Sequence, residues 1–96
     1  MKPTGKERIR YIIKAIDKIA VYTSGLKEDE FLQSDLIIDA VLYQFTIIGE
    51  AVIHINQDVL AKYPYPWHLV RGFRNYIAHE YFGITMSIVW QTIKPG

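Results

Sequence analysis

Apolar residues recur every three or four positions near the start of the chain, with charged residues between them. This spacing predicts an amphipathic helix over about residues 5–23, which the Thr-Ser-Gly run at 23–25 would end. The acidic segment 28–32 follows and predicts a turn or a short helical stub. Within it, Phe31 and Leu32 are the residues expected to anchor the segment in the core.

A second, longer helix is predicted to begin after Ser34, whose side chain suits an N-cap position. Its apolar pattern extends to about residues 61–62. Between positions 36 and 55, 14 of 20 residues are apolar, and they cover most of the helix circumference. A helix that is apolar nearly all round must be buried nearly all round. We therefore expect one face to pack inside the domain and the opposite face to pack on a second subunit.

Polar residues interrupt this long helix at wide intervals and argue against a membrane span. Glu50 is the most unusual of them, because an unpaired carboxylate in so apolar a helix would be unfavourable. One interpretation is a buried ion pair between helices. The other is that a polar stripe containing Glu50 faces Arg74 and His79 and lines a cleft shared with them. The stripe comprises Asp39, Tyr43, Thr46, Glu50, His54 and Gln57.

Two prolines in the segment 63–66 break the chain, because proline removes a backbone donor and restricts the residue before it. Pro66 can open a third helix over about 67–81, which Gly83 would end. Thr85 is expected to cap a fourth amphipathic helix. No strand-like alternation of useful length occurs anywhere in the sequence. The predicted fold is therefore all-α, a four- to five-helix up-and-down bundle.

The composition limits the number of domains and the kinds of chemistry that the chain can carry. The 96 residues fit a single domain over 1–96, and the absence of cysteine excludes disulfides and thiolate chemistry. The polar N-terminus contains no secretory apolar region, so we expect a cytoplasmic protein. The formal net charge is only +1, although seven basic residues and two acids lie within 1–27. Such a basic first helix fits either a solvated face or contact with nucleic acid.

The third helix carries the candidate chemistry. Asn75 and His79 are four residues apart and share a face, and Arg71 lies one turn before Asn75. Arg74 lies roughly 140° around an ideal helix from His79, but its long side chain can reach the same cleft. Arginine presents a permanently charged fork to phosphate, and histidine titrates near neutral pH. The segment therefore indicates an anion or phosphate site.

A structural role for the same residues is the alternative. An arginine in a tight bundle often forms an ion pair, for which Glu50 or Glu80 is available, and a single histidine often only packs. The three histidines, His54, His68 and His79, do not have metal-ligand spacing. Glycine-rich phosphate loops and nucleophile motifs are absent from the sequence. Any catalysis is therefore expected to be acid–base chemistry with no metal and no cofactor.

The same segment resembles a known signature. Arg74, four residues, His79, one residue and Tyr81 fit the Arg-x4-His-x-Tyr motif of the HepT-like toxins of the HEPN superfamily. The resemblance covers essentially the whole chain. Its other parts are 48–51 (Ile-Gly-Glu-Ala), 66–75 (Pro-Trp through Arg-Asn) and 79–93 (His-Glu-Tyr-Phe-Gly-Ile through Thr-Ile).

The resemblance implies a helical homodimer that acts as a metal-independent endoribonuclease, the toxin of a type II/VII-like toxin–antitoxin pair. His79 would serve as general acid or base and Arg74 would clamp the scissile phosphate, with Asn75 and Glu50 in support. The antitoxin would be a small MNT-type nucleotidyltransferase that adds AMP to Tyr81. An ideal helix points that tyrosine away from the site, so it approaches only if the helix ends close to it.

RNA binding would rely on local basic patches, because the net charge is almost zero. Arg71, Lys14, Arg10 and Lys6 are the candidate RNA-binding residues. Two other functions stay open. One is a catalytically silent helical dimer that serves as a binding subunit for a nucleotidyltransferase, and the other is a purely structural bundle. RNA cleavage separates the enzyme from both.

Overall fold

The computed structural model describes residues 2–94 and, for Tyr81, the backbone alone. Within that range every regular element is helical, so the all-α prediction is confirmed. The described part holds six α-helices instead of four or five, because two short helices flank the long central one. The elements are α1 (Gly5–Tyr22), α2 (Glu28–Leu32), α3 (Asp35–His54), α4 (Gln57–Leu60), α5 (Trp67–His79), a 3-10 turn (Tyr81–Gly83) and α6 (Met86–Ile93).

Helix α1 begins with a reciprocal cap at Thr4. The Thr4 hydroxyl accepts a hydrogen bond from the backbone N–H of Glu7 at 3.1 Å, and the Thr4 backbone N–H donates to the Glu7 carboxylate at 3.1 Å. The backbone hydrogen bond from Thr4 lowers the pKa of Glu7, since it favours the ionised carboxylate. The helix ends one residue before the predicted boundary, and Gly25 then turns the chain at φ 76°.

Helix α3 ends at His54, so the prediction of one helix reaching residues 61–62 is wrong. Ser34 does cap its start, since the Ser34 hydroxyl accepts from the backbone N–H of Ile37 at 3.2 Å. At Ile55 the backbone becomes extended. The Asn56 side chain then accepts from the backbone N–H of Asp58 at 2.7 Å, which begins the separate helix α4. A capping side chain thus interrupts a helix that the apolar pattern would continue.

Helix α5 begins at the predicted residue but ends at His79, two residues before the predicted end. Pro66 precedes the helix as its N-cap residue and does not occupy the first helical position. The Trp67 indole N–H donates to the carbonyl oxygens of Leu60 and Tyr63 at 3.2 and 3.0 Å, which ties α5 to the preceding loop. Thr85 precedes α6, but its side chain makes no capping hydrogen bond.

The core is one cluster of buried residues that spans α1 to α6. Helix α3 lies at its centre and packs against both α1 and α5. Phe31 of α2 is fully buried and packs on Trp90 of α6, whereas Leu32 is exposed, so the prediction that both anchor α2 is wrong. By length and composition alone α3 could cross a membrane, but its packing between α1 and α5 is that of a core helix.

Helix α3 is buried on one side only in the single chain. Leu36, Tyr43 and Ile53 are exposed in the single chain, with Leu36 81% accessible. Within one protomer α3 therefore leaves one face uncovered, as expected, and the packing of a second subunit on that face stays a prediction. Since apolar surface of this kind is unfavourable in water, the exposed residues define the side of α3 that is available to another molecule.

Candidate functional site

The site begins where α3 and α5 come closest. Gly49 of α3 is buried, and a Cβ atom placed on it would overlap the Cβ and Cγ atoms of Arg74 on α5. Glycine lets the two helices approach closely at this point because it has no side chain. The close approach brings the base of the Arg74 side chain against the backbone of α3.

Arg74 is paired with the next residue of α3. Its Nη2 donates to Oε1 of Glu50, and its Nη1 donates to Oδ1 of Asn75 at 3.1 Å. The interhelical ion pair that the sequence suggested is present, with Glu50 and not Glu80 as the partner, but it is only partly buried, because the Glu50 side chain is 43% exposed. The Arg74 side chain is 27% exposed, so the guanidinium is fixed at an edge that remains open to solvent.

His54 extends the network on the other side of Glu50. Its Nε2 lies 3.6 Å from Oε2 of Glu50, one helical turn further along α3. The sequence analysis placed His54 in the polar stripe and excluded it as a metal ligand, but did not pair it with Glu50; its position four residues after Glu50 was the available signal. Of the stripe residues, Glu50 contacts Arg74 and His54 lies beside Glu50, whereas a cleft that the stripe shares with His79 stays a prediction. Among the described residues, no group of three or more His, Asp or Glu side chains could hold a metal ion.

His79 stands apart from this network. It is the last residue of α5 and is exposed, one turn after Asn75 on the same face. Among the described side chains, no hydrogen bond joins the imidazole to Arg74 or Glu50. The chain therefore brings Arg74, Asn75 and Glu50 together, and it leaves the histidine accessible nearby on the same helix.

Tyr81 lies in the 3-10 turn that follows α5. Its backbone has left the α-helix, because the Glu80 N–H caps α5 by donating to the Tyr76 carbonyl and a new turn then starts. The helix thus ends before Tyr81, which is the condition under which this residue could approach His79. The position of its side chain lies outside the described atoms, so the approach itself stays a prediction.

The basic residues proposed to bind RNA are distributed unevenly. Arg71 is half-buried one turn before Asn75, and its Nη1 finds no hydrogen-bond partner among the described residues. Arg10 and Lys14 are exposed on the side of α1 opposite its buried residues, so α1 directs them away from α3 and α5. Arg8 was not among the candidates, although it lies one turn before Ile12 on the side of α1 that packs against α3.

Comparison with known proteins identifies the family to which this chain belongs. The family described as "Ribonuclease HepT-like" matches residues 12–95, which include Glu50, Arg74 and His79. The chain belongs to the HepT-like ribonuclease family. No solved structure matches this HepT-like chain.

Several relatives carry ribonuclease names. "Putative RNase MJ1380" of Methanocaldococcus jannaschii is 34% identical over 84 residues, which cover 86% of the HepT-like chain and 77% of that protein. "Probable ribonuclease HepT" of Thermococcus cleftensis is 32% identical over 95 residues, covering 98% and 86%. "Putative RNase TTE0752" of Caldanaerobacter subterraneus is 28% identical over 91 residues, covering 94% and 81%. The similarity therefore extends across the helices that build the site.

Proposed function

We propose that this HepT-like chain is a metal-independent endoribonuclease in which Arg74 binds the scissile phosphate and His79 transfers a proton. The observation that carries this proposal is the fixed guanidinium of Arg74, held by Glu50 and Asn75 at an open edge of the helix that ends in the exposed His79. A held arginine can stabilise charge on phosphorus without first being ordered by the substrate. The ribonuclease names of the relatives support RNA as the substrate.

The proposed reaction uses the nucleophile that RNA itself supplies. The 2′-oxygen attacks the adjacent phosphorus and loses its proton to a base, while the bond from phosphorus to the 5′-oxygen breaks. The products are a 2′,3′-cyclic phosphate and a 5′-hydroxyl, which takes up a proton as it leaves. His79 would serve in one of these proton transfers, an effect typically worth about 10²–10⁴-fold. Glu50 and Asn75 accept only from the two terminal nitrogens of Arg74, and its Nε is a buried donor without a hydrogen-bond partner among the described residues.

The active unit in this proposal is a homodimer. Helix α3 exposes Leu36, Tyr43 and Ile53, and this apolar side also carries Glu50, the partner of Arg74. A two-fold contact along α3 would bury these residues and bring two copies of Arg74 and His79 close to each other. One histidine could then act on each proton.

The proposed enzyme is inhibited by a nucleotidyltransferase antitoxin of the MNT type, which modifies Tyr81. The tyrosine oxygen would attack the α-phosphorus of ATP, forming the AMP ester as pyrophosphate leaves. Support comes from the end of α5 at His79, which frees Tyr81 from the helix two residues after the catalytic histidine. The added group is bulky and anionic, so it would occupy the cleft and compete with RNA for Arg74. The pair would act as a toxin–antitoxin system in the cytoplasm.

A catalytically silent dimer that only binds the nucleotidyltransferase is the second candidate, since His79 makes no described hydrogen bond to the arginine network. The two candidates differ in one assay. Single-stranded RNA is incubated with the purified protein in EDTA, and the products are separated by size. Cleavage that disappears when His79 or Arg74 is replaced supports the enzyme. Intact RNA with the unmodified wild-type protein rejects it in favour of the silent dimer.

A further inference from the structure

A short loop connects α5 to α6 and carries Tyr81. Helix α5 ends at His79, and the chain packs against the core again at Ile84. Between these two points lies the 3-10 turn Tyr81–Gly83. We call residues 80–85 the Tyr81 loop. Because the loop leaves one helix and enters another, its conformation depends on how its two ends are attached.

One residue of α5, Tyr76, binds both ends of the Tyr81 loop. At the first end, the backbone N–H of Glu80 donates to the Tyr76 carbonyl oxygen at 2.9 Å. At the other end, nine residues after Tyr76, the backbone N–H of Thr85 donates to the Tyr76 hydroxyl oxygen at 2.8 Å. Thr85 directly precedes α6, where backbone N–H groups have no partner within the helix. The Tyr76 hydroxyl supplies the missing acceptor and thereby closes the loop.

The Tyr76 ring is itself fixed by aromatic packing. It stacks on Phe73 with the ring centroids 6.2 Å apart, and Phe73 packs edge to face on Phe45 of α3 at 5.0 Å. These three rings connect the loop to the central helix, so they fix the hydroxyl relative to the core. Tyr76 and Thr85 lie outside α3, so the bond between them does not use the exposed side of α3 that the proposed homodimer would bury.

We propose that Tyr76 is a positioning residue for the modification of Tyr81. Its hydroxyl, by accepting from Thr85, holds the Tyr81 loop in the conformation that the nucleotidyltransferase antitoxin recognises. This inference rests on the proposed inhibition through Tyr81 and goes beyond it. A loop that is already ordered need not be ordered by the transferase, which lowers the cost of binding. Without the hydroxyl the loop is less ordered, so fewer molecules present the recognised conformation.

The test is a double-mutant cycle on the two hydrogen-bonding groups. Tyr76→Phe removes the acceptor and keeps the packed ring. Thr85→Pro removes the donor and leaves Tyr76 intact; the backbone there suits proline, because φ of Thr85 is −83° and Ile84 is extended. The chain is incubated with ATP, Mg²⁺ and the cognate nucleotidyltransferase, and intact mass follows AMP addition. Each single variant is expected to raise KM for the chain about 3- to 10-fold at unchanged kcat, the effect of one hydrogen bond.

The double variant should have the same KM as either single variant, because both changes break one bond. Thr23→Val is the control for lowered stability. It removes a buried hydroxyl that donates to the Ile19 carbonyl at 2.8 Å, outside the Tyr81 loop, and its KM should equal that of the wild type. Hydrogen exchange supplies a second readout: Tyr76→Phe should exchange faster within residues 80–85 and at the wild-type rate in α3.

A wild-type KM for Tyr76→Phe would overturn the positioning role, and so would additive effects of the two substitutions. A raised KM for Thr23→Val would also overturn it, since lowered stability alone would then explain the effect. Failure of the proposed inhibition gives a different result. The wild type would gain no AMP mass, which rejects the role of Tyr81 and this inference with it, while RNA cleavage in EDTA tests the ribonuclease separately.

Discussion

Gly49 of α3 and Arg74 of α5 pack so closely that no side chain fits between them, and a Cβ atom at Gly49 would overlap Cβ and Cγ of the arginine. The same contact determines where along α3 the Arg74 guanidinium meets Glu50. The absence of a side chain at Gly49 therefore determines both the distance between α3 and α5 and the position of Arg74.

Substitution of Gly49 by alanine should separate α3 from α5 or displace Arg74. We expect a loss of about 1–3 kcal/mol in the free energy of unfolding, typical of an overpacked core, together with reduced RNA cleavage. Gly72→Ala is the matched control, because nothing lies near a Cβ at that helical position. It should raise stability by about 0.5–1 kcal/mol. Urea denaturation of both variants checks this, and an equally stable Gly49→Ala protein would contradict the close packing.

Replacement of Glu50 by glutamine keeps the shape of the side chain and removes its charge. Since the pair is partly exposed, stability should change by no more than about 1 kcal/mol. Cleavage should fall at least about tenfold, because the guanidinium is no longer held by a carboxylate. Asp39→Asn removes an exposed charge from the same helix and should leave cleavage unchanged. If the two variants cleave RNA equally well, Glu50 does not position Arg74.

A charge on the exposed side of α3 should produce monomers. Leu36→Asp places a carboxylate on a residue that is 81% accessible in the single chain, so the fold should tolerate it while a dimer contact should not. Sedimentation velocity should show half the mass of the wild type. Leu69→Asp, on the exposed part of α5, is the control and should remain dimeric. The reverse pattern would move the subunit contact to α5.

Co-expression with the cognate nucleotidyltransferase should add one or more AMP groups to the chain. Intact-mass spectrometry should detect the addition on the wild type and on Tyr63→Phe, which removes a different exposed hydroxyl. The addition should be absent from Tyr81→Phe. A modified Tyr81→Phe protein would show that another residue accepts the group.

Much of the fold could be predicted because each main helix has its own apolar spacing and start signal. Ser34 caps α3 as expected, and α1 and α5 begin where the pattern begins. The end of α3 could not be predicted from apolar spacing, since Val59 and Leu60 continue that spacing beyond the true end. Asn56 decides the boundary through a local hydrogen bond to the backbone of Asp58.

The candidate site was only partly predictable for a different reason. The sequence offered Glu50 and Glu80 as partners of Arg74, and the choice depends on how closely α3 and α5 approach. Local patterns thus gave the residues of the Arg74–His79 helix, while tertiary packing selected their partners.

The most direct test of the ribonuclease proposal is the rate of RNA cleavage in EDTA by unmodified wild type, Arg74→Ala, His79→Ala and His68→Ala. His68 is exposed at the start of the same helix and controls for loss of a surface histidine. The account predicts cleavage by the wild type and His68→Ala, with a 2′,3′-cyclic phosphate product. It predicts rates at least about 10²-fold lower for Arg74→Ala and His79→Ala. Undiminished cleavage by either of those two variants, or none by the wild type, would contradict it.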